Sequence, residues 1–235
     1  MDKPKKTPST RSIVMHPVEF PKHRSVRIAR KNITAKVMEC LATHPSREFR
    51  LSYDNYGLEA SVNYKDGKFQ SLILKGSGVE GERINDEVAL LLFPEESSHK
   101  GDITLHALLS VKYDPRVLNP SFKAQEVPKL IRKALRAKET TVDGHPIACR
   151  INRLYVDGKY VNHDRAYDFV DEKLTPTYDL MLVNDEFAEE WIKTMIREEK
   201  DYAIPAHGFV LTDEHPDSEN AFPETHFIFD EPIKP

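Results

Sequence analysis

Apolar residues recur along this chain with two different periods, and the period divides it into elements. Helical spacing is clearest in two stretches. Ile33, Val37, Met38 and Leu41 predict a helix over 33–43, with Asn32 as its cap and His44-Pro45 as its stop. Val127 to Lys138 predicts a second amphipathic helix. A third follows Asn184, with Asp185 and Glu186 in its first turn and Phe187, Trp191 and Met195 along one face, where Trp191 and Met195 read as core. Between the helices, short runs rich in β-formers predict strands: Phe49–Tyr53, Leu58–Tyr64, Phe69–Lys75, Ile103–Tyr113, Ile147–Tyr155, Lys159–Val161, Tyr178–Val183, Gly208–Thr212 and His226–Phe229. Lys65-Asp66-Gly67 and Val156-Asp157-Gly158 are hairpin signals. Glu87–Phe93 is apolar and short, and periodicity leaves it open between strand and helix. The sum is an α+β protein with antiparallel sheets.

Composition adds boundaries to this picture. The 235 residues are 31% charged and 39% hydrophobic, which suits one globular core. The first residues are basic with no apolar run behind them, so no secretory signal is expected, and no stretch is long and apolar enough for a membrane helix. Cys40 and Cys149 stand far apart, which fits neither a disulfide framework nor a zinc ribbon, and a cytoplasmic location is expected.

The net charge of −4 is unevenly spread. Residues 1–36 hold 10 Lys/Arg against 2 Asp/Glu, and the remainder 24 against 36. Residues 1–31 therefore read as a basic, flexible arm ahead of a body over 32–235. Lys3, Lys5, Lys6, Arg11, Arg24, Arg27, Arg30 and Lys31 are its candidate contacts to DNA phosphates or to an acidic protein partner.

One segment is more specific than its surroundings. Gly57-Leu58-Glu59-Ala60-Ser61-Val62-Asn63-Tyr64 runs into the Lys65-Asp66-Gly67 turn and the strand Phe69–Leu74, followed by Lys75-Gly76-Ser77-Gly78-Val79-Glu80-Gly81-Glu82. The glycines suit a loop that takes positive φ and lets backbone approach a ligand closely. The segment resembles, without a gap, the stretch of NAD-dependent DNA ligases that follows their nucleophile motif. Ile103–Leu109, Ala206–Thr212 and Phe229-Asp230-Glu231-Pro232 fall in the order of later motifs of that family. The resemblance covers residues 45–235, densely over 57–88. It implies a ligase adenylation domain: an ATP-grasp-like nucleotidyltransferase fold, two antiparallel sheets with flanking helices around a cleft. It also implies a ligand site that draws on Lys75, Gly76, Gly78, Gly81, Glu82, His106 and His207.

The reactive residues of that family are replaced. Its nucleophilic lysine, which attacks the α-phosphate of NAD, falls at Asp54, and its motif aspartate at Tyr56. The strand glutamate falls at Leu108, and two charge-offsetting lysines fall at Thr212 and Asp230. No catalytic residue is therefore expected, and no cofactor, with weak NAD binding as the alternative. His207, His215 and His226 gather near Asp213, Glu214, Asp217 and Glu224, but their spacing fits no standard metal pattern, so no metal is expected either. The expectation is a non-catalytic binding protein on a ligase scaffold, suited to DNA metabolism or phage–host interaction. The alternative is a divergent NAD-dependent ligase subunit whose missing domains come from a partner.

Overall fold

Residue alternation resolves into two main sheets, each with an apolar face under helices and a more polar face turned toward the other, and a two-stranded ribbon of the first and sixth strands. The computed structural model describes residues 12–114, 116–117, 120–161, 179–182 (backbone only), 186–198, 206–214 and 222–230. The elements are β1 (Ile13–Met15), β2 (His23–Ile28), α1 (Ile33–Thr43), β3 (Phe49–Asp54), β4 (Gly57–Lys65), β5 (Lys68–Leu74) and β6 (Glu80–Glu82). They continue with α2 (Asp86–Leu92), β7 (Ile103–Val111), α3 (Val127–Arg136), β8 (Thr141–Val142), β9 (His145–Val156) and β10 (Lys159–Val161). The last are β11 (Asp179–Leu182), α4 (Ala188–Glu198), β12 (Gly208–Asp213) and β13 (Glu224–Phe229).

One sheet has the order β10-β9-β7-β4-β5, with β8 paired to β9. Its apolar face carries Ala60, Val62, Leu105, Leu109 and Ile151, packed against Val127, Ile131 and Leu135 of α3 and Val88 of α2. The expected hairpins are present. Asp66 and Gly67 have φ of 50° and 77°, and Asp157 and Gly158 have 50° and 76°. Two successive positive φ values give the turn whose twist matches its flanking strands. The ambiguous run at 87–93 is helix: Asn85 caps it by accepting from the Glu87 amide at 2.9 Å, with Asp86 and Glu87 in the first turn.

The second sheet has the order β11-β3-β12-β13-β2. Phe49, Leu51, Phe209, Leu211 and Phe227 line its apolar face and pack with Ile33, Val37 and Leu41 of α1 and Ile192 of α4. Ladders are antiparallel except at one edge, where β2 pairs with β13 in parallel from His23↔Glu224 to Ile28↔Phe229.

Three expectations change here. Residues 13–31 are not a flexible arm. β1 pairs with β6, β2 is an edge strand, and Arg30 lies 4.0 Å over the Phe229 ring. The composition of β2, HRSVRI, concealed it, because only Val26 and Ile28 of its apolar set face the core. Lys3, Lys5, Lys6 and Arg11 lie outside the described residues. Trp191 is not core: it is 54% exposed, like its neighbour Phe187, and α4 buries the expected Met195 together with Ala188 and Ile192. Asn32 occupies the cap position of α1 but makes no side-chain cap bond. Asn184 lies outside the described residues.

Candidate functional site

The polar faces of the two sheets meet in a cleft of about 460 Å³. Strand alternation decides which side chains reach it. β3 turns Arg50, Ser52 and Asp54 inward, β12 turns Val210 and Thr212, and β13 turns Glu224, His226 and Ile228. β2 adds His23 and Ser25, the β3–β4 turn adds Asn55 and Tyr56, and the opposite sheet adds Glu59 and Leu108. On β9 the register shifts so that Arg153 faces His106 and Ile151 faces Ala107, leaving Asn152 as the extra residue, and it too lines the cleft. Gln125 and Pro128 close the side next to α3.

Asp54 sits at the end of β3, opposite Gly208 in the ladder. A Cβ on Gly208 would stand 2.0 Å from the Phe227 carbonyl oxygen, so only glycine lets β12 and β13 approach this closely. The His207 amide donates to the Asp54 carbonyl at 2.9 Å, and its ring Nε2 lies 3.3 Å from Asp54 Oδ2. Tyr56 packs on that ring, with centroids 4.5 Å apart.

A chain of charges crosses the cleft from this point. His226 Nδ1 lies 2.8 Å from Asp54 Oδ2, and its Nε2 lies 3.1 Å from Glu224 Oε1. Arg153 completes the chain by donating through Nη2 to Glu224 Oε2 at 2.9 Å. Burial works against the His226 cation, but hydrogen bonds to Asp54 and Glu224 outweigh it and push the pKa up to about 10. Burial likewise opposes ionisation of Glu224, yet His226 and Arg153 bring it down to about 2. Asp54 is held well below the ordinary carboxylate range, because hydrogen bonds from His207 and His226 overcome its burial. At neutral pH His226 is therefore an imidazolium donating from both nitrogens. It has no lone pair with which to act as a base.

The remaining charges are also paired. Arg50 donates from Nε to Glu214 at 2.6 Å, and Asp213 pairs with Arg47 on the sheet's other face. Lys75 lies at the rim, 2.6 Å from Glu59 and 3.5 Å from His23. Among the described residues no lysine lines the cleft. What faces the open space is thus mostly neutral and polar: Asn55, Tyr56, Gln125, Asn152, Ser25, Ser52 and Thr212.

Of the positions singled out in the sequence, Asp54, Tyr56, Leu108, Thr212 and His207 converge on this cleft. Asp230 does not: it is exposed, and its amide bonds to the Ile28 carbonyl at the sheet edge. Glu82 is paired to Arg136 at 2.7 Å. His106, Gly76, Gly78 and Gly81 are not among the lining residues, and the backbone of residues 16–20 covers His106 and the loop instead. Arg50, Glu59, His23 and Asn152 gave no sequence signal, since a polar residue on a strand reads as solvent-facing. His215 and Asp217 lie outside the described residues.

No known family profile matches the chain, and no curated protein matches it. Solved structures do. A candidate ATP-dependent DNA ligase from Aquifex aeolicus aligns with a TM-score of 0.54 and 12% identity over 90% of this chain and 50% of that one. An RNA ligase variant from Naegleria gruberi, solved with AMP and manganese, gives 0.40 at 11% identity over 91% of this chain and 58% of its own. The chain thus spans 50% to 58% of the length of these structures, and what it shares with the first is its fold.

Proposed function

We propose that this chain is a non-catalytic binding protein built on a ligase-like nucleotidyltransferase scaffold, of the kind related to NAD-dependent DNA ligases. The observation that carries this reading is Asp54, the position at which the resemblance places the nucleophilic lysine. It is an ionised carboxylate clamped between His207 and His226. A carboxylate so held cannot form a phosphoramidate. The test is intact-mass spectrometry of the purified chain after incubation with ATP or NAD and magnesium or manganese. No covalent AMP adduct is expected, and a stoichiometric adduct would overturn the reading.

The partner in this proposal is DNA or an acidic protein surface, contacted through Lys3, Lys5, Lys6 and Arg11 with the exposed Arg24, Arg27 and Lys31. One observation keeps a second reading in view. The cleft is open, and its roomy polar lining could hold a small ligand. A divergent nucleotidyltransferase subunit completed by a partner protein would show an AMP adduct only when that partner is supplied.

A further inference from the structure

The glycine loop that carries the strongest sequence signal does not face the cleft freely. Residues 16–20 run across it. The His16 amide donates to the Val79 carbonyl at 2.9 Å, and the Phe20 amide donates to the Gly78 carbonyl at 3.0 Å. His16 is buried, with Nδ1 2.8 Å from Ser61 Oγ and Nε2 3.1 Å from the Lys75 carbonyl oxygen. His106 Nε2 lies 3.1 Å from the Val18 carbonyl oxygen. The Phe20 ring lies flat on the His106 imidazole, with centroids 4.0 Å apart and planes 8° from parallel, and Lys75 Nζ stands 5.4 Å from its centre.

The strap lies directly on the loop: a Cβ on Gly78 would be in van der Waals contact with Phe20 Cβ at 3.6 Å, while Gly76 and Gly81 are required by the close approach of the loop's own Glu80 and of Leu74. A parallel ring stack at this spacing is the arrangement in which a planar heterocycle is held on an imidazole or aromatic floor. His106 Nδ1 is buried without a hydrogen-bond partner, a polar atom the present occupant leaves unserved.

We propose that His106, Lys75 and the Gly76–Gly81 loop form a binding slot for a planar heterocyclic ring, and that Phe20 on the strap is its internal occupant. The strap is an intramolecular competitor. It lowers apparent affinity by the fraction of time it leaves the slot open. With Nε2 donating to the Val18 carbonyl, His106 Nδ1 is an acceptor in the plane of the imidazole, so it would be met from the edge by a donor substituent of an incoming heterocycle, such as a ribose hydroxyl, and not by the stacked ring itself.

The experiment compares adenosine and indole binding to the full chain, to Phe20→Ala and to Ser61→Ala by equilibrium dialysis. Ser61→Ala removes the hydroxyl partner of His16 and leaves every ring of the slot in place. Hydrogen exchange at the His16 and Phe20 amides reports strap opening in the same samples, and circular dichroism confirms folding. Both variants should exchange faster at these amides. Phe20→Ala should bind the heterocycles at least about tenfold tighter than the parent, which corresponds to a strap closed about nine-tenths of the time or more. Ser61→Ala should gain in the same direction. Faster exchange without tighter binding in both variants would overturn the slot, and unchanged exchange in both would overturn the strap. Adenosine carries no activated phosphate, so the measurement is blind to whether the cleft is catalytic.

Discussion

Replacing Asp54 by Asn removes one of the two carboxylates that hold the His226 cation while leaving the side-chain volume nearly unchanged. Raising an imidazole from 6.5 to about 10 corresponds to about 5 kcal/mol of interaction with both carboxylates together, at about 1.4 kcal/mol per pKa unit. Asp54, at 2.8 Å against 3.1 Å for Glu224, accounts for about half, so the substitution should cost about 2–3 kcal/mol. For a domain of this size that is a fall in Tm of about 4–12 °C. The pH dependence gives the sharper test. A group whose folded pKa is raised contributes stability that is fully present below its unfolded value and is lost as pH rises through the folded value. The difference in Tm between the parent and Asp54→Asn should therefore be level from about pH 6 until the variant's imidazole, still raised by Glu224, begins to lose its proton, shrink above that point, and be small beyond about 10. Calorimetric melts at several pH values would measure it. A penalty that is independent of pH across that window would refute the doubly bonded imidazolium. The Glu224 side of the chain runs the other way: its folded pKa is depressed from 4.5 to about 2, so its contribution is present above 4.5 and lost as pH falls through 2.

Gly208→Ala should cost more than about 2 kcal/mol in denaturant unfolding, because its Cβ would lie 2.0 Å from the Phe227 carbonyl oxygen, where β12 enters its ladders with β3 and β13. Wild-type stability of this variant would show that β12 and β13 are not so closely paired. Removing residues 1–11 should leave Tm unchanged, whereas removing 1–28 takes away β2, with the buried Ile28 and its ladder to β13, and should cost about 4 kcal/mol or prevent folding. Equal Tm for both truncations would restore the flexible arm. If Lys3, Lys5, Lys6 and Arg11 bind phosphates, the shorter truncation should also reduce the log–log salt slope of duplex DNA binding by about 3–4, and an unchanged slope would remove DNA from the proposal.

The sequence by itself determined the elements whose cause is local. The helix at 33–43, the two Asp-Gly hairpins and most strands follow from period and turn chemistry, which act between residues a few positions apart. It also singled out Asp54, Tyr56, Leu108 and Thr212, which the fold brings to one cleft. The tertiary structure alone decided the rest. β2 is a strand because β13 offers it a parallel edge some 200 residues away, and its His23 and Ser25 are polar where they line the cleft. Trp191 is at the surface because α4 meets the sheet through Ala188, Ile192 and Met195, and the helix's phase against its neighbours is not written in its own periodicity. The Asp54–His226 pair joins residues 172 apart, and a charged residue on a strand shows its burial only when the partner that neutralises it is in place. The same holds for the glycine loop. Its glycines announced a close approach, but only the folded chain shows that the close neighbours are the carbonyls of Leu74 and Glu80, and that Phe20 lies over the loop.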